Sequence, residues 1–188
     1  IKIETLTHES LSHWKGPGRK GNFVLNEIIL SSAQTSPTKK GRYVRIDLPG
    51  NGKMIHLAEV EVFSGNQNVA LNGIASQSSD YSNAKASRAI DGNTNGDYNK
   101  GSVTHTATGK NDPFWEVDLK SMQNISRIII WNRTDGTVSS RLDGYKLSIL
   151  DKDRKAIWDK TFSKAPALNE VVSLSGEEQA RFSKATSS

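Results

Sequence analysis

The chain of 188 residues has 35% hydrophobic and 24% charged residues, a composition typical of a globular domain that buries a core. It contains no cysteine, which excludes disulfides, thiolate catalysis and thiolate-bound zinc. No apolar run approaches the roughly 18 residues that a membrane-spanning helix needs, and the net charge of +5 comes from scattered rather than clustered Lys and Arg. We therefore expect neither membrane insertion nor a nucleic-acid partner.

The first 41 residues have a different pattern from the rest of the chain. Strands are predicted at residues 1–6 and 23–30, separated by a segment rich in glycine. The stretch SSAQTSPTKKG, residues 31–41, has the composition of a linker or long turn. We place a domain boundary there, so that residues 1–35 form a separate flanking β-segment.

From Arg42 onward, apolar and polar residues alternate as in a half-buried strand. Val44, Ile46 and Leu48 share one face, and a Pro-Gly-Asn-Gly turn follows. In the next run the apolar parity switches at Ala58 and Glu59. A β-bulge is the simplest cause of such a switch, and bulges often redirect a side chain next to a functional site.

The rest of the chain contains many short strand patterns between clusters of Gly, Asn, Asp and Ser. Only residues 84–90 and 177–185 have helical patterns. This arrangement predicts an all-β fold, an antiparallel β-sandwich or jelly roll. The further predicted strands cover residues 69–75, 114–119, 125–131, 145–150, 157–162 and 171–174.

Two loops carry the residues most suited to binding. The run AIDGNTNGDYN, residues 89–99, supplies spaced carboxylate and amide oxygens of the kind that Ca²⁺ prefers. The same Asp-Gly and Asn-Gly pairs are common in turns, and the spacing is not that of an EF-hand, so a purely structural loop stays open. In the second loop, Arg133 and Arg141 flank TDGTVSS; two guanidiniums there suit vicinal hydroxyls or a carboxylate, although surface Arg–Asp pairs are commoner.

Catalytic signals are weak throughout the sequence. It has no HExxH, GxSxG or Walker motif, and no pair of carboxylates stands out as an acid and base. His105, in Thr-His-Thr, is a candidate binding residue, but a lone histidine is more often structural. Tyr98 and Phe114 are candidates for stacking on a sugar, whereas Trp115 and Trp131 are expected in the core.

Five segments in a fixed order resemble the fucolectin, tachylectin and pentraxin group of discoidin-like (F5/8 type C) carbohydrate-binding modules, which have a galactose-binding-domain-like jelly roll. Residues 41–63, GRYVRIDLPGNGKMIHLAEVEVF, resemble the final two strands of this family but precede the first. The module is therefore predicted to be circularly permuted, unless this segment closes a neighbouring unit. The five segments are NQNVALNGIASQSS, ASRAIDGNTNGDYNKGSVTHT, NDPFWEVDL, ISRIIIWNRTDG and SSRLDGYKLSIL.

The resemblance implies a role for each loop. It implies that His105, Arg133 and Arg141 hydrogen-bond the sugar. It also implies a structural Ca²⁺ with these ligands: the carbonyls of Ala58, Arg88 and Asn93, the carboxylates of Glu59 and Asp91, and Ser102. The sequence departs from the family around residues 136–138, which replace two adjacent cysteines that contact the sugar, and in a loop one residue longer before Arg141.

The function predicted from this resemblance is a noncatalytic, calcium-stabilised carbohydrate-binding module, with residues 41–164 as the module. Its ligand is predicted to be fucose or a related sugar, with a sulfated one among the alternatives. Residues 1–35 and 165–188 resemble flanking segments of large exported bacterial proteins and are predicted to pair, so the module is expected to be tethered to catalytic or other domains, outside the cell or at its surface. The alternatives are a structural sandwich without a ligand and a polysaccharide-degrading enzyme.

Overall fold

The computed structural model describes residues 38–174, and these belong to one compact unit that begins at Ser36. Within this range the chain forms ten strands and four short 3₁₀-helices. The strands are β1 (Lys39–Asp47), β2 (His56–Ser64), β3 (Gln67–Asn68), β4 (Ile74–Gln77), β5 (Thr104–His105), β6 (Phe114–Ile125), β7 (Arg127–Asn132), β8 (Lys146–Leu150), β9 (Ala156–Thr161) and β10 (Asn169–Ser173). The 3₁₀-helices are Val69–Asn72, Ala86–Ile90, Tyr98–Lys100 and Ser139–Leu142.

The strands form two antiparallel sheets, which confirms the predicted all-β sandwich. One sheet has the order β4-β6-β1-β8-β9, and the other has the order β10-β7-β2-β3, with β5 added to β2. The segment 41–63 contributes to both sheets, since β1 lies between β6 and β8 and β2 lies beside β7. This segment and the strands that follow it in the chain therefore complete a single sandwich.

The core lies between the two sheets and follows the alternation of the strands. Val44 and Ile46 of β1 are fully buried, and their neighbours Arg45 and Asp47 lie on the outer face. Trp115 of β6 is also fully buried, and its indole N–H donates to the carbonyl of Ala86 at 3.0 Å. Each fully buried aliphatic side chain stabilises the fold by about 1.5–3 kcal/mol, so the sandwich is held mainly by these alternating positions.

The predicted bulge in β2 is present. The register against β7 shifts between Leu57 and Glu59, and both Ala58 and Glu59 are fully buried. The extra residue changes the parity of the strand, so that Leu57 and Val60 both reach the core. The bulge thereby turns a carboxylate into the interior next to the loop at residues 91–93.

Several local predictions differ from the structure. Residues 69–72 form a 3₁₀-helix rather than a strand because the side chain of Asn68 accepts a hydrogen bond from the amide of Ala70 and caps the turn. The predicted helix at 84–90 is a 3₁₀-helix, Ala86–Ile90. In β7, Ile128 and Ile130 are in the core, but Ile129 points to the opposite face and is part-exposed.

The first residues of the predicted C-terminal flanking segment, 165–188, belong to the sandwich. β10 pairs with β7, and Val172 and Leu174 are buried in the same core as β1 and β2. The strands predicted at 1–6 and 23–30, the helix predicted at 177–185 and the pairing of 1–35 with 165–188 lie outside the described residues.

Candidate functional site

One end of the sandwich collects the predicted sugar-binding residues. β2 begins there at His56, which pairs with His105 of β5, and Leu57 pairs with Asn132 at the end of β7. The loop after β7 carries Arg133 and ends in the 3₁₀-helix Ser139–Leu142, which carries Arg141. Residues separated by more than 80 positions in the chain are therefore brought together by strand pairing.

His105 is buried among aromatic rings. Its ring stacks on Tyr81 with centroids 4.5 Å apart, and Tyr98 meets it edge-on at 5.8 Å. Burial lowers the pKa of His105, and the charges of Arg133 and Arg141 lower it further. Its Nδ1 contacts the carbonyl oxygen of Thr106, which can only accept, so Nδ1 carries the proton and Nε2 is left as an acceptor.

A second histidine, His56, lies against the first. The two imidazole centroids are 3.9 Å apart, and within residues 38–174 neither buried ring nitrogen of His56 has a hydrogen-bond partner. Burial lowers the pKa of His56 to about 3, with a further contribution from His105 and the two arginines. His56 is thus a neutral imidazole at ordinary pH. The sequence alone did not indicate this residue, because its proximity to His105 depends on the pairing of β2 with β5.

Arg133 is held rigidly by Asp135, in the kind of Arg–Asp pair that the sequence left open as an alternative. Nε donates to Asp135 Oδ1 at 2.8 Å and a terminal nitrogen donates to Oδ2 at 2.7 Å, a bidentate pair. The guanidinium also lies 4.5 Å from the centroid of the Tyr98 ring. The hydrogen bond from Arg133 lowers the pKa of Asp135 to about 2, and the amide of Tyr98 adds to this effect. The pair therefore stays ionised across the physiological range.

Arg141 is exposed, in contrast to Arg133. Its neighbour Leu142 is buried and anchors the 3₁₀-helix to the core. Among the described residues, the Arg141 guanidinium forms no ion pair, yet its charge contributes to the lowered pKa of both His56 and His105. The structure thus places Arg141 near the two histidines with its donors available to a ligand.

The two loops that form the walls of the site are joined to each other. The amide of Thr134 donates to the carbonyl of Gly96 at 2.9 Å, and the amide of Tyr98 donates to Asp135 at 2.9 Å. A Cβ at Gly96 would lie 2.5 Å from Thr134 Oγ1 and 2.7 Å from the carbonyl oxygen of Asn132, so glycine is required for this close approach. The position of each wall therefore depends on the other.

The loop at residues 91–99 is built from successive turns in which a side chain caps the backbone two residues ahead. Asp91 accepts from the amide of Asn93 at 2.9 Å, Asn93 from Asn95 at 3.1 Å, and Asn95 from Asp97 at 2.9 Å. This is the turn-forming role that Asp and Asn were also expected to have. Ser102 Oγ donates to the carbonyl of Asn95, which closes the loop at its far end.

Two of the residues expected to bind Ca²⁺, Glu59 and Asp91, lie close together at the bulge. Glu59 Oε1 accepts from the amide of Gly92 at 3.0 Å, while Oε2 is buried and has no partner among the described residues. Burial raises the pKa of Glu59 to about 7, and the charge of Asp91 contributes to the rise. A buried carboxylate oxygen without a partner is costly unless a cation neutralises it, so this donor set fits a hard divalent cation.

Of the other predicted ligands, Arg88 lies in the 3₁₀-helix that leads into the loop, and Ser102 lies at the loop's far end. Arg88 precedes Asp91 in the 3₁₀-helix and is held by a bond from its guanidinium to the carbonyl of Val103 at 3.2 Å. Within residues 38–174 no cluster of three or more His, Cys, Asp or Glu side chains is arranged to hold a metal. The expected Ca²⁺ ligands include only two carboxylates, those of Glu59 and Asp91, and the others are carbonyl and hydroxyl oxygens. A cluster counted from His, Cys, Asp and Glu side chains alone would therefore not contain this set.

The two tryptophans have different environments. Trp115 is in the core as expected, but Trp131 is only partly buried and donates its indole N–H to Glu61 at 2.8 Å on the outer face of the second sheet. Tyr81, which is 45% exposed and stacked on His105, is the aromatic ring most open to a ligand at the site.

In the described part of the chain, no helix is both long and apolar enough to cross a membrane.

This antiparallel β-sandwich has the fold of a discoidin-like module, and one end of it carries His105 on β5 and Arg133 and Arg141 in the segment after β7. The family described as NedA-like, galactose-binding domain matches residues 88–186 of this chain. The chain belongs to this family. The predicted resemblance to fucolectin-type modules is thereby confirmed.

Curated relatives and solved structures agree with this assignment. The Fucolectin of Anguilla anguilla is 38% identical over 88 residues, which cover 44% of this chain and 54% of that protein. Fucolectin-4 of Anguilla japonica is 42% identical over 88 residues, which cover 44% of this chain and 48% of that protein. The chain thus spans about half the length of the curated relatives it matches.

Two solved structures show the same fold with clear sequence identity. A fucose-binding module of Streptococcus pneumoniae has a TM-score of 0.55 and 35% identity, and the match covers 60% of this chain and 78% of that module. The lectin domain of lectinolysin, solved in complex with Lewis B antigen, has a TM-score of 0.55 and 32% identity over 58% of this chain and 77% of that domain. These proteins are named as lectins and binding modules rather than enzymes, in agreement with the predicted noncatalytic role.

Proposed function

We propose that this chain is a calcium-stabilised carbohydrate-binding module that recognises fucose or a closely related sugar through His105, Arg133 and Arg141. The observation that carries the proposal is the convergence of these three side chains at one end of the sandwich, with Arg133 fixed by Asp135. The fucose-binding module and the Lewis B complex among the solved structures support fucose as the sugar.

Recognition would depend on directed hydrogen bonds to ring hydroxyls. Nε2 of the neutral His105 accepts from a hydroxyl, whereas the guanidiniums of Arg133 and Arg141 donate to hydroxyl or ring oxygens. Because Arg133 is already held by two bonds to Asp135, little conformational entropy is lost when the sugar binds. Monovalent binding of this kind is expected at micromolar to millimolar affinity, about 4 to 8 kcal/mol.

The proposed Ca²⁺ would be held by the carboxylates of Glu59 and Asp91, the hydroxyl of Ser102 and three backbone carbonyls, those of Ala58, Arg88 and Asn93. When bound, the cation supplies the positive charge that the buried Glu59 carboxylate lacks. The residues of this chain then keep the loop at 91–101 in place against the second wall, through Gly96 and Tyr98. His105, which follows this loop, is positioned as a consequence.

The choice among sugars would be decided in the loop between Arg133 and Arg141. Gly136 and Thr137 at its tip are exposed and replace the cysteines that the resemblance places beside the sugar. A sulfated sugar stays among the proposed ligands because Arg141 has no ion pair among the described residues. We further propose that the module works outside the cell or at its surface, tethered to other domains that raise its effective affinity for polysaccharides.

The sugar site is tested by replacing Arg133. The Arg133→Ala variant should lose detectable binding to fucosylated glycans on an array and in calorimetry, because two charge-assisted donors are removed. Arg127→Ala is the matched control: it lies on the same strand, β7, at the other end, where its guanidinium lies over Phe63. Unchanged binding by Arg133→Ala, or equal loss in both variants, would contradict the site.

The calcium site is tested by thermal unfolding with and without the cation. Added Ca²⁺ should raise the melting temperature of the wild-type chain and leave that of Glu59→Gln unchanged, since a ligand that binds only the folded state stabilises it. Mg²⁺ serves as the control cation because it requires a smaller, octahedral site. An identical response of the two proteins to Ca²⁺ would remove Glu59 from the site.

A further inference from the structure

A second concave surface lies on the outer face of the sheet β4-β6-β1-β8-β9, away from the loops that carry His105 and Arg133. It is a cavity of about 310 Å³ across β6, β1, β8 and β9. We call it the sheet groove and define it by six residues that line it. They are Arg45, Asp47, Glu116, Lys146, Ser148 and Arg154.

The strand register explains why these side chains meet. Arg45 of β1 lies directly opposite Glu116 of β6 on one side and Ser148 of β8 on the other. Asp47 lies opposite Lys146 in the next row. Directly opposed residues point to the same face, so the groove is a set of polar rows on the sheet surface rather than a gap in the core.

The charges in the groove are balanced. Arg45 donates to Asp47 at 2.8 Å and to Glu116 at 3.4 Å, and Arg154 donates to the other oxygen of Glu116 at 2.5 Å. Lys146 is 3.6 Å from Asp159 of β9. With Asp159 at the edge of the groove included, three cations face three carboxylates, so this surface has no net charge to attract a polyanion.

The groove nevertheless retains hydrogen-bonding capacity. A guanidinium has five N–H donors, and among residues 38–174 Arg45 uses two nitrogens and Arg154 uses one. Ser148 is only 4% exposed, and it lines the cavity between the two arginines and Lys146. Unused guanidinium donors and a hydroxyl-bearing residue therefore line one cavity.

The turn between β8 and β9 holds Arg154 in place at a conformational cost. Arg154 has a φ of 63°, in the left-handed region that favours glycine. Its amide donates to the carbonyl of Asp151 at 3.2 Å, and Asp151 also accepts from the amides of Asp153 and Lys155. This tight turn directs the Arg154 guanidinium over Tyr43 and onto Glu116.

We propose that the sheet groove is a second carbohydrate subsite, which takes one uncharged, hydroxyl-rich saccharide unit through Arg45, Ser148 and Arg154. The volume is at the lower end of the range for small-ligand pockets, about 300–1,000 Å³, and suits a single sugar ring. The groove runs along β8 from Lys146 to Leu150 and on to Arg154 in the turn that follows. This subsite is independent of the proposed fucose site and does not require it.

The test follows backbone amide shifts by NMR in the Arg133→Ala background, in which the fucose site is disabled. The probes are methyl β-D-galactopyranoside and methyl α-L-fucopyranoside, added separately up to high millimolar concentration. At least one probe should shift the amides of Arg45, Ser148 and their neighbours. Absence of a shift in the groove with both probes would overturn the proposal.

Variants separate binding from stability. Arg154→Gly relieves the strained φ but removes one partner of Glu116, which keeps Arg45, so the variant should stay folded while binding in the groove falls about tenfold. Ala156→Trp should block the cavity, which Ala156 lines. Lys152→Ala, in the same turn but outside the groove, should bind like the parent. Equal shifts in all three variants would overturn the proposal.

Two further outcomes are informative. Shifts in the groove without any response at His105 in the wild-type chain would support the subsite and contradict only the fucose site. Shifts produced by inorganic sulfate but by neither glycoside would overturn the assignment of an uncharged ligand.

Discussion

Replacing Glu59 with glutamine should remove part of the pH dependence of folding stability. The Glu59 side chain is fully buried, and burial raises its pKa to about 7 from the ordinary value of 4.5. In the metal-free protein the folded state therefore holds a proton that the unfolded state has lost between these two pH values. The contribution of Glu59 to stability is present below about pH 4.5 and is lost as the pH rises through about 7.

The magnitude follows from the difference between the two pKa values. A difference of about 2.5 pKa units corresponds to about 3 kcal/mol at 1.36 kcal/mol per unit. Because the carboxylate is inaccessible to solvent, screening does not reduce this value appreciably. Glutamine has the same shape and keeps the acceptor for the amide of Gly92, but it does not titrate.

The assay is urea unfolding of both proteins in calcium-free buffer at intervals between pH 4 and pH 8. The free energy of unfolding of the wild type, relative to Glu59→Gln, should fall by about 3 kcal/mol across this range. The comparison with the variant is necessary because other groups, such as His56, titrate in the same interval with the opposite sign. Saturating Ca²⁺ should reverse the order of the two proteins above pH 7. A difference that stays constant with pH would refute a buried, unneutralised carboxylate at Glu59.

Two other residues give predictions of a similar kind. Burial lowers the pKa of His56 to about 3, so the contribution of His56 to stability is present above pH 6.5 and is lost as the pH falls. Between pH 6.5 and pH 3 the free energy of unfolding of the wild type should fall by about 4 kcal/mol because of this group. Guanidinium unfolding of His56→Phe should not show this fall. An acid transition that is the same in both proteins would count against this explanation. Asp135→Asn should weaken sugar binding about tenfold in calorimetry, because Arg133 loses its bidentate partner. Since the pKa of Asp135 is about 2, this pair stays ionised above pH 4 and should cause little pH dependence of wild-type sugar binding there. Equal affinity of the wild type and Asp135→Asn would show that sugar binding does not depend on the bond between Asp135 and Arg133.

Local patterns in the sequence were enough to predict the elements of the sandwich. The alternation of Val44, Ile46 and Leu48 predicted β1 because each is buried between the sheets. The change of parity at Glu59 predicted the bulge for the same reason, since an apolar face cannot be exposed without cost. Short elements were less predictable, and the 3₁₀-helix Val69–Asn72 depends on a cap from Asn68 that hydrophobic periodicity does not reveal.

The candidate site was predicted in part through the resemblance of its loops to a known family. His105, Arg133 and Arg141 could be named in this way, and the structure brings them to one end of the fold. His56 could not, because its role arises from a contact across the fold, and the local Arg133–Asp135 pair was open only as the alternative of a surface ion pair. Asp135 receives the amide of Tyr98, 37 positions away, and His56 meets His105 through the pairing of β2 with β5.

By itself, then, the sequence predicted the fold class, the bulge and two candidate binding loops, because periodicity and short motifs are local properties of the chain. The tertiary structure alone decided which side chains are buried without partners, which charges are paired and where the polar rows of the outer sheet form a groove. Those properties depend on strand register, and register places residues side by side that the chain itself keeps far apart.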